Sequence, residues 1–240
     1  GSGGSTAFRE LKIFTCQAIC YPTRLKQFSA MLPTSQGGFD LDLAMNDSGS
    51  RVAVAWGRTQ VAIPGQNVPT DALRMLVISP MNAAKSTNVT SSTQYLNSSV
   101  FQSGTFDLSA DGSRFIFGTS HPALVSAGAV GTSKMSSGSI SAAGKAVVTK
   151  VSALSSERGT IIDAQIGGLP ERVVATYAIQ GNVKVLASDS AAMKYWAEAR
   201  VISDNRTAPS VAVSSEASRI VTATDVDCCI QMTAAQVIVS

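Results

Sequence analysis

Four times in this sequence an arginine opens an apolar run directly after a polar turn, and that recurrence limits the chain to folds built from repeated hairpins. Phe39–Ala55 runs through Asn46-Asp47-Ser48-Gly49-Ser50 into Arg51, and Phe106–Gly118 runs through Ser109-Ala110-Asp111-Gly112-Ser113 into Arg114. Val211–Ala223 passes through Ser214–Ser218 into Arg219, and a looser copy, Ile161–Thr176, passes through Gly167–Glu171 into Arg172. In each, a short apolar strand, turn-forming residues and a second apolar strand make the signature of a β-hairpin. Successive arginines lie 63, 58 and 47 residues apart. That is the period of a propeller blade, roughly 40–50 residues, lengthened by insertions.

Each hairpin is followed by further strand candidates. These are Leu73–Ser79, Ala146–Val151, Tyr195–Ile202 and Ala235–Val239, with Asn182–Ala187 as an additional strand in the Arg172 unit. The expected fold is therefore all-β, a propeller-like array of about four four-stranded antiparallel units, since four strands are the content of a blade. Leu11–Ile19 alternates as a strand and either starts a fifth unit or closes the last one. Ser86–Ser99, rich in Ser, Thr and Asn, and Ala127–Gly144, rich in Gly, Ser and Ala, read as mobile surface loops. Together with 58–72 they are the expected variable contact elements. The best helix candidate is Ser190–Arg200, with a capping Ser and good helix formers.

The turns Asn46–Arg51 and Ser109–Arg114 resemble the S-x-D-G-x-x turn of WD40-like propeller blades, which joins the second and third strands of a blade. The resemblance implies a propeller that serves as a protein-interaction scaffold. The Trp-Asp and Gly-His dipeptides of WD40 repeats are absent, and with them that family's His–Ser/Thr–Trp network. The alternative architecture is two tandem antiparallel-sheet modules split near residues 120–150, similar to polo-box pairs, which would make the chain a phosphopeptide-docking domain.

Composition narrows the function. Hydrophobic residues make up 45% of the 240 residues, ample for a core, whereas charged residues are only 15% against a norm of roughly 25%. A net charge of +3 with scattered basic residues points to neither nucleic acid nor an anionic membrane. No apolar stretch is long enough to form a membrane-spanning helix. Gly1–Ser5 reads as a linker or tag remnant, leaving 6–240 as a single domain excised from a larger protein. The rest of that parent chain is then one candidate partner. Cys16, Cys20, Cys228 and Cys229 lack zinc-site spacing and read as buried thiols, which tilts the expected compartment to the cell interior. Asn46, Asn88, Asn97 and Asn205 head glycosylation sequons of the kind a Ser/Thr-rich chain acquires by chance.

No catalytic, cofactor or metal residues are expected. The one histidine, His121, sits at a strand end before Pro122, and no nucleophile elbow surrounds a serine. Asp40 with Asp42, and Asp225 with Asp227, share strand faces at i, i+2 spacing and read as solvated rim pairs. No phosphate cradle or calcium loop occurs. The partner-binding candidates are Arg51, Arg114, Arg172, Arg219 and Trp56. A ring of arginines on one face would suit a phosphorylated or acidic peptide. The simpler reading has each arginine cap its own turn, against Asp47, Asp111 or Glu216, and Trp56 pack in the core.

Overall fold

The computed structural model describes residues 11–17, 19–28, 39–58, 72–79, 88–95, 100–121, 132–154, 159–167, 171–179, 182–202, 210–213, 219–226 and 229–236. They form seventeen strands and no helix. β1 (Leu11–Gln17) and β2 (Ile19–Phe28) pair as a hairpin. Sheet 1 then follows in chain order as β3 (Phe39–Met45), β4 (Val52–Arg58), β5 (Ala72–Ser79) and β6 (Asn88–Tyr95). Sheet 2 holds β7 (Val100–Leu108), β8 (Arg114–His121), β9 (Thr132–Ile140) and β10 (Ala146–Ala153). Sheet 3 holds β11 (Thr160–Gly167), β12 (Arg172–Ile179), β13 (Asn182–Ser188) and β14 (Trp196–Ile202). Sheet 4 has three strands, β15 (Ser210–Val213), β16 (Arg219–Val226) and β17 (Cys229–Gln236).

Every sheet is an antiparallel meander in strict sequence order. The first strands lie side by side in a row, with β3 against β7, β7 against β11 and β11 against β15. Face-to-face meanders with adjacent inner strands are the architecture of a propeller-like array, as the repeat implies. A split between residues 120 and 150 would cut through sheet 2, so the two-module alternative does not describe the molecule.

Stacking explains the sequence of the second strands. Val52–Gly57 of β4, Phe115–Thr119 of β8 and Val173–Tyr177 of β12 are buried continuously rather than alternately. Their two faces are both covered, so both must be apolar. Between sheets 1 and 2 the core sets small against large: Ala44, Ala53 and Ala55 face Phe106, Phe115 and Phe117. The Phe115 and Phe117 rings stack with centroids 6.1 Å apart. Between sheets 2 and 3, Ile116 and Met135 pack with Ile161, Val173, Ala175 and Tyr177.

Several expectations fail here for identifiable reasons. The segment 86–99 contains β6, and 127–144 contains β9. Small polar residues in β9 are a packing requirement rather than a loop signal: Ser133, Ser136 and Ser137 are buried, and the Ser133 hydroxyl donates to the Gly159 carbonyl at 2.6 Å. The segment 58–72 falls, from 59 to 71, outside the described residues. Ser190–Arg200 is a turn leading into β14 rather than a helix. There Asp189 Oδ1 accepts the N–H groups of Lys194 and Tyr195, and Met193 holds φ at 51° with its side chain fully buried. Tertiary burial at Met193 overrides local helix propensity. Leu73–Ser79 is the third strand of its sheet, not the last. The polar turn joins the first and second strands of each sheet, not the second and third. The final strand begins at Cys229, earlier than Ala235–Val239 suggested, and residues 237–240 lie outside the described residues.

Gly138 of β9 illustrates how tightly neighbouring strands of one sheet fit together. A Cβ there would drive into the Phe115 ring and the Val147 carbonyl, both part of the same sheet's interior. Gly138→Ala is therefore expected to cost about 3 kcal/mol or more, as overpacking at a rigid site does. A chemical denaturation midpoint measures this, and a loss below about 1 kcal/mol would mean that the ring can move aside.

Candidate functional site

The recurring turns share one geometry. The side chain at the turn's first position accepts the arginine's own N–H: Asn46 Oδ1 from Arg51 at 2.8 Å, and Ser109 Oγ from Arg114 at 3.0 Å. Gly49 and Gly112, at φ 66° and 70°, supply the left-handed residue that each turn needs. In the second turn Asp111 Oδ1 also accepts the Ser109 hydroxyl at 2.7 Å and the Ser113 N–H at 2.8 Å. Burial opposes its ionisation, yet those donors and the Arg114 charge hold its carboxyl below the usual range.

The side chains of Arg51 and Arg114 also reach across to the next unit. Arg51 Nη1 donates to the Gly112 carbonyl at 2.7 Å, and the Asp47 N–H donates to the Ala110 carbonyl at 3.2 Å. Arg114 Nε pairs with Glu171 Oε2 at 3.2 Å, on the turn of sheet 3. Turn 1 is thus fastened to turn 2, and turn 2 to turn 3. Glu171 is nonetheless raised above the ordinary glutamate value, because its burial outweighs the attraction of a half-exposed Arg114. Arg172 opens β12 half-buried, and Arg219 opens β16. Trp56 is buried in β4, in register with Leu41 of β3.

A second set of residues bridges the inner strands, and the rim-pair expectation did not foresee it for Asp42. Neighbouring sheets share no backbone ladder, so inner-strand N–H groups need acceptors from elsewhere. Asp42 Oδ2 on β3 accepts from Gly104 N at 2.8 Å and Phe106 N at 3.2 Å on β7. Asp107 Oδ2 on β7 accepts from Ile166 N at 3.0 Å on β11, while its Oδ1 accepts from Leu108 N at 2.8 Å. The first contact falls on a bulge: the β7–β8 register shifts between Gln102 and Asp107, and Thr105 Oγ1 takes up the Gly118 N–H at 2.7 Å. Burial pushes the Asp107 carboxyl up to about 6, and the charges of Asp163 and Asp42 add to it, against the pull of the two backbone donors. The available signal was an aspartate set between two core residues, Phe106 and Leu108. Among the described residues no group of three His, Cys, Asp or Glu side chains is placed to hold a metal ion.

The third feature is an uncovered apolar strip. Counting back from each turn arginine, Leu43, Phe106 and Ala164 are equivalent, as are Met45, Leu108 and Ile166. Phe106 and Ala164 are 5% and 2% exposed, but Leu43 is 52% exposed. Leu108 and Ile166 are 4% and 6% exposed, but Met45 is 58% exposed. In sheets 2 and 3 these positions pack on the preceding sheet. In sheet 1 they, with Leu41, lie open.

Fold and site together define a propeller-like all-β protein whose units are fastened turn to turn and inner strand to inner strand. No family model matches the chain, and comparison with curated proteins gives no match. Among solved structures it is similar to TolB from Acinetobacter baumannii, at 11% identity and TM-score 0.43 over 95% of this chain and 57% of that one. It is also similar to the periplasmic gluconolactonase PpgL of Pseudomonas aeruginosa, at 11% identity and TM-score 0.48 over 99% of this chain and 66% of that one. A third is the β-propeller domain of Cps50 (Swd1) from Myceliophteria thermophila, at 10% identity and TM-score 0.41 over 80% of this chain and 68% of that one. The chain thus spans less than two thirds of the length of the first two.

Two outcomes test this geometry. Asp107 titrates near 6 in the folded chain against an ordinary value of 3.8. Its folded value is raised, so its contribution to stability is complete below about pH 4 and is lost as pH rises through about 6. Unfolding free energy is expected to fall by up to ~3 kcal/mol across that window, and Asp107→Asn should flatten the profile. Denaturant midpoints measured at a series of pH values decide it, and equal slopes for both proteins would refute the assignment. Separately, Arg51→Ala is expected to destabilise by about 1–2 kcal/mol, because it removes a charged donor to a carbonyl. Arg114→Ala, at a half-exposed ion pair, should cost less than about 1 kcal/mol by the same measurement.

Proposed function

We propose that the chain is a non-enzymatic protein–protein interaction module, a scaffold unit that docks a protein partner along the uncovered inner strand of sheet 1. The observation that carries this reading is the exposure of Leu43 and Met45 at positions whose equivalents in sheets 2 and 3 are buried. Clustered apolar side chains left in water on a regular strand mark an interaction surface. Three large side chains at i, i+2, i+4 give a partner a continuous apolar ridge, and Val52, Val54 and Trp56, paired with them on the same face of β4, are buried within the chain, so the open surface is confined to β3.

Phosphopeptide docking through Arg51, Arg114, Arg172 and Arg219 finds less support. The guanidinium groups of Arg51 and Arg114 are engaged with the neighbouring turn, and an anion would have to displace those contacts. A catalytic reading finds little support in the carboxylates, since both oxygens of Asp107 already accept backbone N–H groups.

The test compares affinity capture by the intact chain with capture by Leu43→Glu and Val151→Glu. Val151 is an exposed apolar residue on β10, away from the strip. A partner lost with Leu43→Glu and retained with Val151→Glu is the expected result. Retention with both variants, each shown folded by circular dichroism, would remove the strip as the docking surface.

A further inference from the structure

We propose that the open strip on β3 receives an extended peptide segment of a partner protein, apolar at alternate positions and carrying a basic residue where it meets turn 1. This rests on the docking reading above and names the chemistry of its partner.

The width of the strip sets the first limit. Leu41, Leu43 and Met45 are 45%, 52% and 58% exposed. Trp56, Val54 and Val52, their register partners on the same face of β4, are buried, as is Ile78 beyond them on β5. The apolar surface is therefore one strand wide, and the chain itself closes the side toward β4. A helix is about 10 Å across, twice the spacing of about 5 Å between neighbouring strands, and a sheet is wider still. Area points the same way. Half-exposed side chains of this size present about 100 Å² each, so the strip offers roughly 300 Å², against the ~800 Å² that each partner buries in a stable globular complex. A second folded copy of the chain finds too little surface here, whereas a single extended segment matches what is offered.

Spacing sets the second limit. Side chains at i, i+2 and i+4 of a strand recur about every 7 Å along one face, which is also the repeat of alternate side chains in an extended peptide. Three apolar side chains of such a peptide run in step with Leu41, Leu43 and Met45 over about 14 Å. A helix presents its side chains at i, i+3 and i+4 and falls out of step. The contact is made by side chains rather than by a new ladder on this strand. The Leu43 N–H is already taken by Asp42 Oδ1 at 2.9 Å, and Asp42 Oδ2 is engaged by Gly104 and Phe106.

Charge sets the third. Turn 1 stands at the Met45 end of the strip, close enough that a Cβ on Gly49 would lie 3.7 Å from Met45 Sδ. Asp47 on that turn is exposed, and its carboxylate has no partner among the described residues. Its N–H is fixed to the Ala110 carbonyl, so the backbone that carries the charge is held in place. A lysine or arginine at that end of the peptide completes an ion pair, and the pair fixes which way the segment runs along the strip.

Selection from a phage-displayed library of random peptides tests this, with the intact chain as bait and Leu43→Ser as the counter-bait. Peptides that bind the intact chain and not the variant are expected to be apolar at every second position, with Lys or Arg near one end. For a synthetic peptide of the selected sequence, Leu43→Ser should weaken binding about tenfold or more. Asp47→Asn should weaken it about two- to fivefold and remove most of its salt dependence. Saturation with the peptide should protect Met45 from oxidation by hydrogen peroxide, read by mass spectrometry. Leu41→Ser gives the same comparison independently where Leu43→Ser does not fold. Selected peptides that need Leu43 but show a helical period would overturn the extended occupant and leave the docking reading standing. Failure to select any peptide that needs Leu43, with Met45 readily oxidised, would overturn the peptide as occupant and leave the docking reading to the capture experiment. Protection of Met45 that grows with the concentration of the chain alone would give the strip to a second copy and overturn the peptide. Protection at every concentration would overturn both readings, because the chain would then be covering its own strip.

Discussion

Sheets stacked face to face share no backbone ladder, so the whole array depends on how the N–H groups of each inner strand are satisfied. Asp42 and Asp107 answer that need by lending carboxylate oxygens from one unit to the inner strand of the next. A buried N–H without a partner costs about 1–3 kcal/mol, comparable with the burial of a whole aliphatic side chain. The apolar contacts of Ala44, Phe106 and Phe115 bring the sheets together without fixing their sliding register. The carboxylates do fix it, because a hydrogen bond from Ile166 N to Asp107 tolerates little displacement. Burial of Asp107 between the inner strands raises its value, and the like charges of Asp163 and Asp42 add to that.

The turns add a second line of fastening at the rim, and the two lines differ in physical character. Arg51 reaches a carbonyl at 2.7 Å through a contact that any turn of the same backbone shape provides, whatever its sequence. Arg114 instead needs a specific carboxylate, Glu171, which sits half-buried and partly disfavoured in its charged form. One contact depends on turn geometry and tolerates changes of side chain; the other depends on a side chain and is screened by salt. Gly112 links the two, since its left-handed φ shapes the turn and its missing side chain leaves room for the Arg51 stem, which a Cβ would meet at 3.1 Å.

How much of this the sequence discloses depends on whether a residue's role is local or remote. The hairpins are legible because turn chemistry is local: Asn46, Gly49, Ser109, Asp111 and Gly112 announce their conformation within six residues. The second strands are legible because burial on both faces leaves them almost wholly apolar, with Thr119 and Thr176 the polar residues inside the buried stretches of β8 and β12. β6 and β9 are not legible, because small and polar residues on them answer to neighbours far along the chain, as Gly138 answers to Phe115. The helix expected at Ser190–Arg200 fails for the same reason, since the core contact of Met193 is invisible to local propensity. Of the candidate site residues, the arginines stand out by their repetition, but the partners of Arg51 and Arg114 lie about sixty residues away, in the next unit. Trp56 was singled out as an aromatic that ends a strand, and it is buried beside Leu41, on the face that carries the strip.

The exposed strip gains meaning only by comparison inside the molecule. A lone leucine at the surface of a protein signifies little, because much of any folded surface is apolar. Here the same structural position occurs three times, and the burial of two copies supplies the reference for the third. Leu43 is more apolar and larger than Ala164, which is covered at the equivalent place. Retaining such side chains in water works against solubility, because an exposed apolar strand invites association. The residue types on β3 therefore match an inner strand with neighbours on both sides. That face of sheet 1 is closed at Val52, Val54 and Trp56 and open at Leu41, Leu43 and Met45, so the apolar surface it offers is one strand wide.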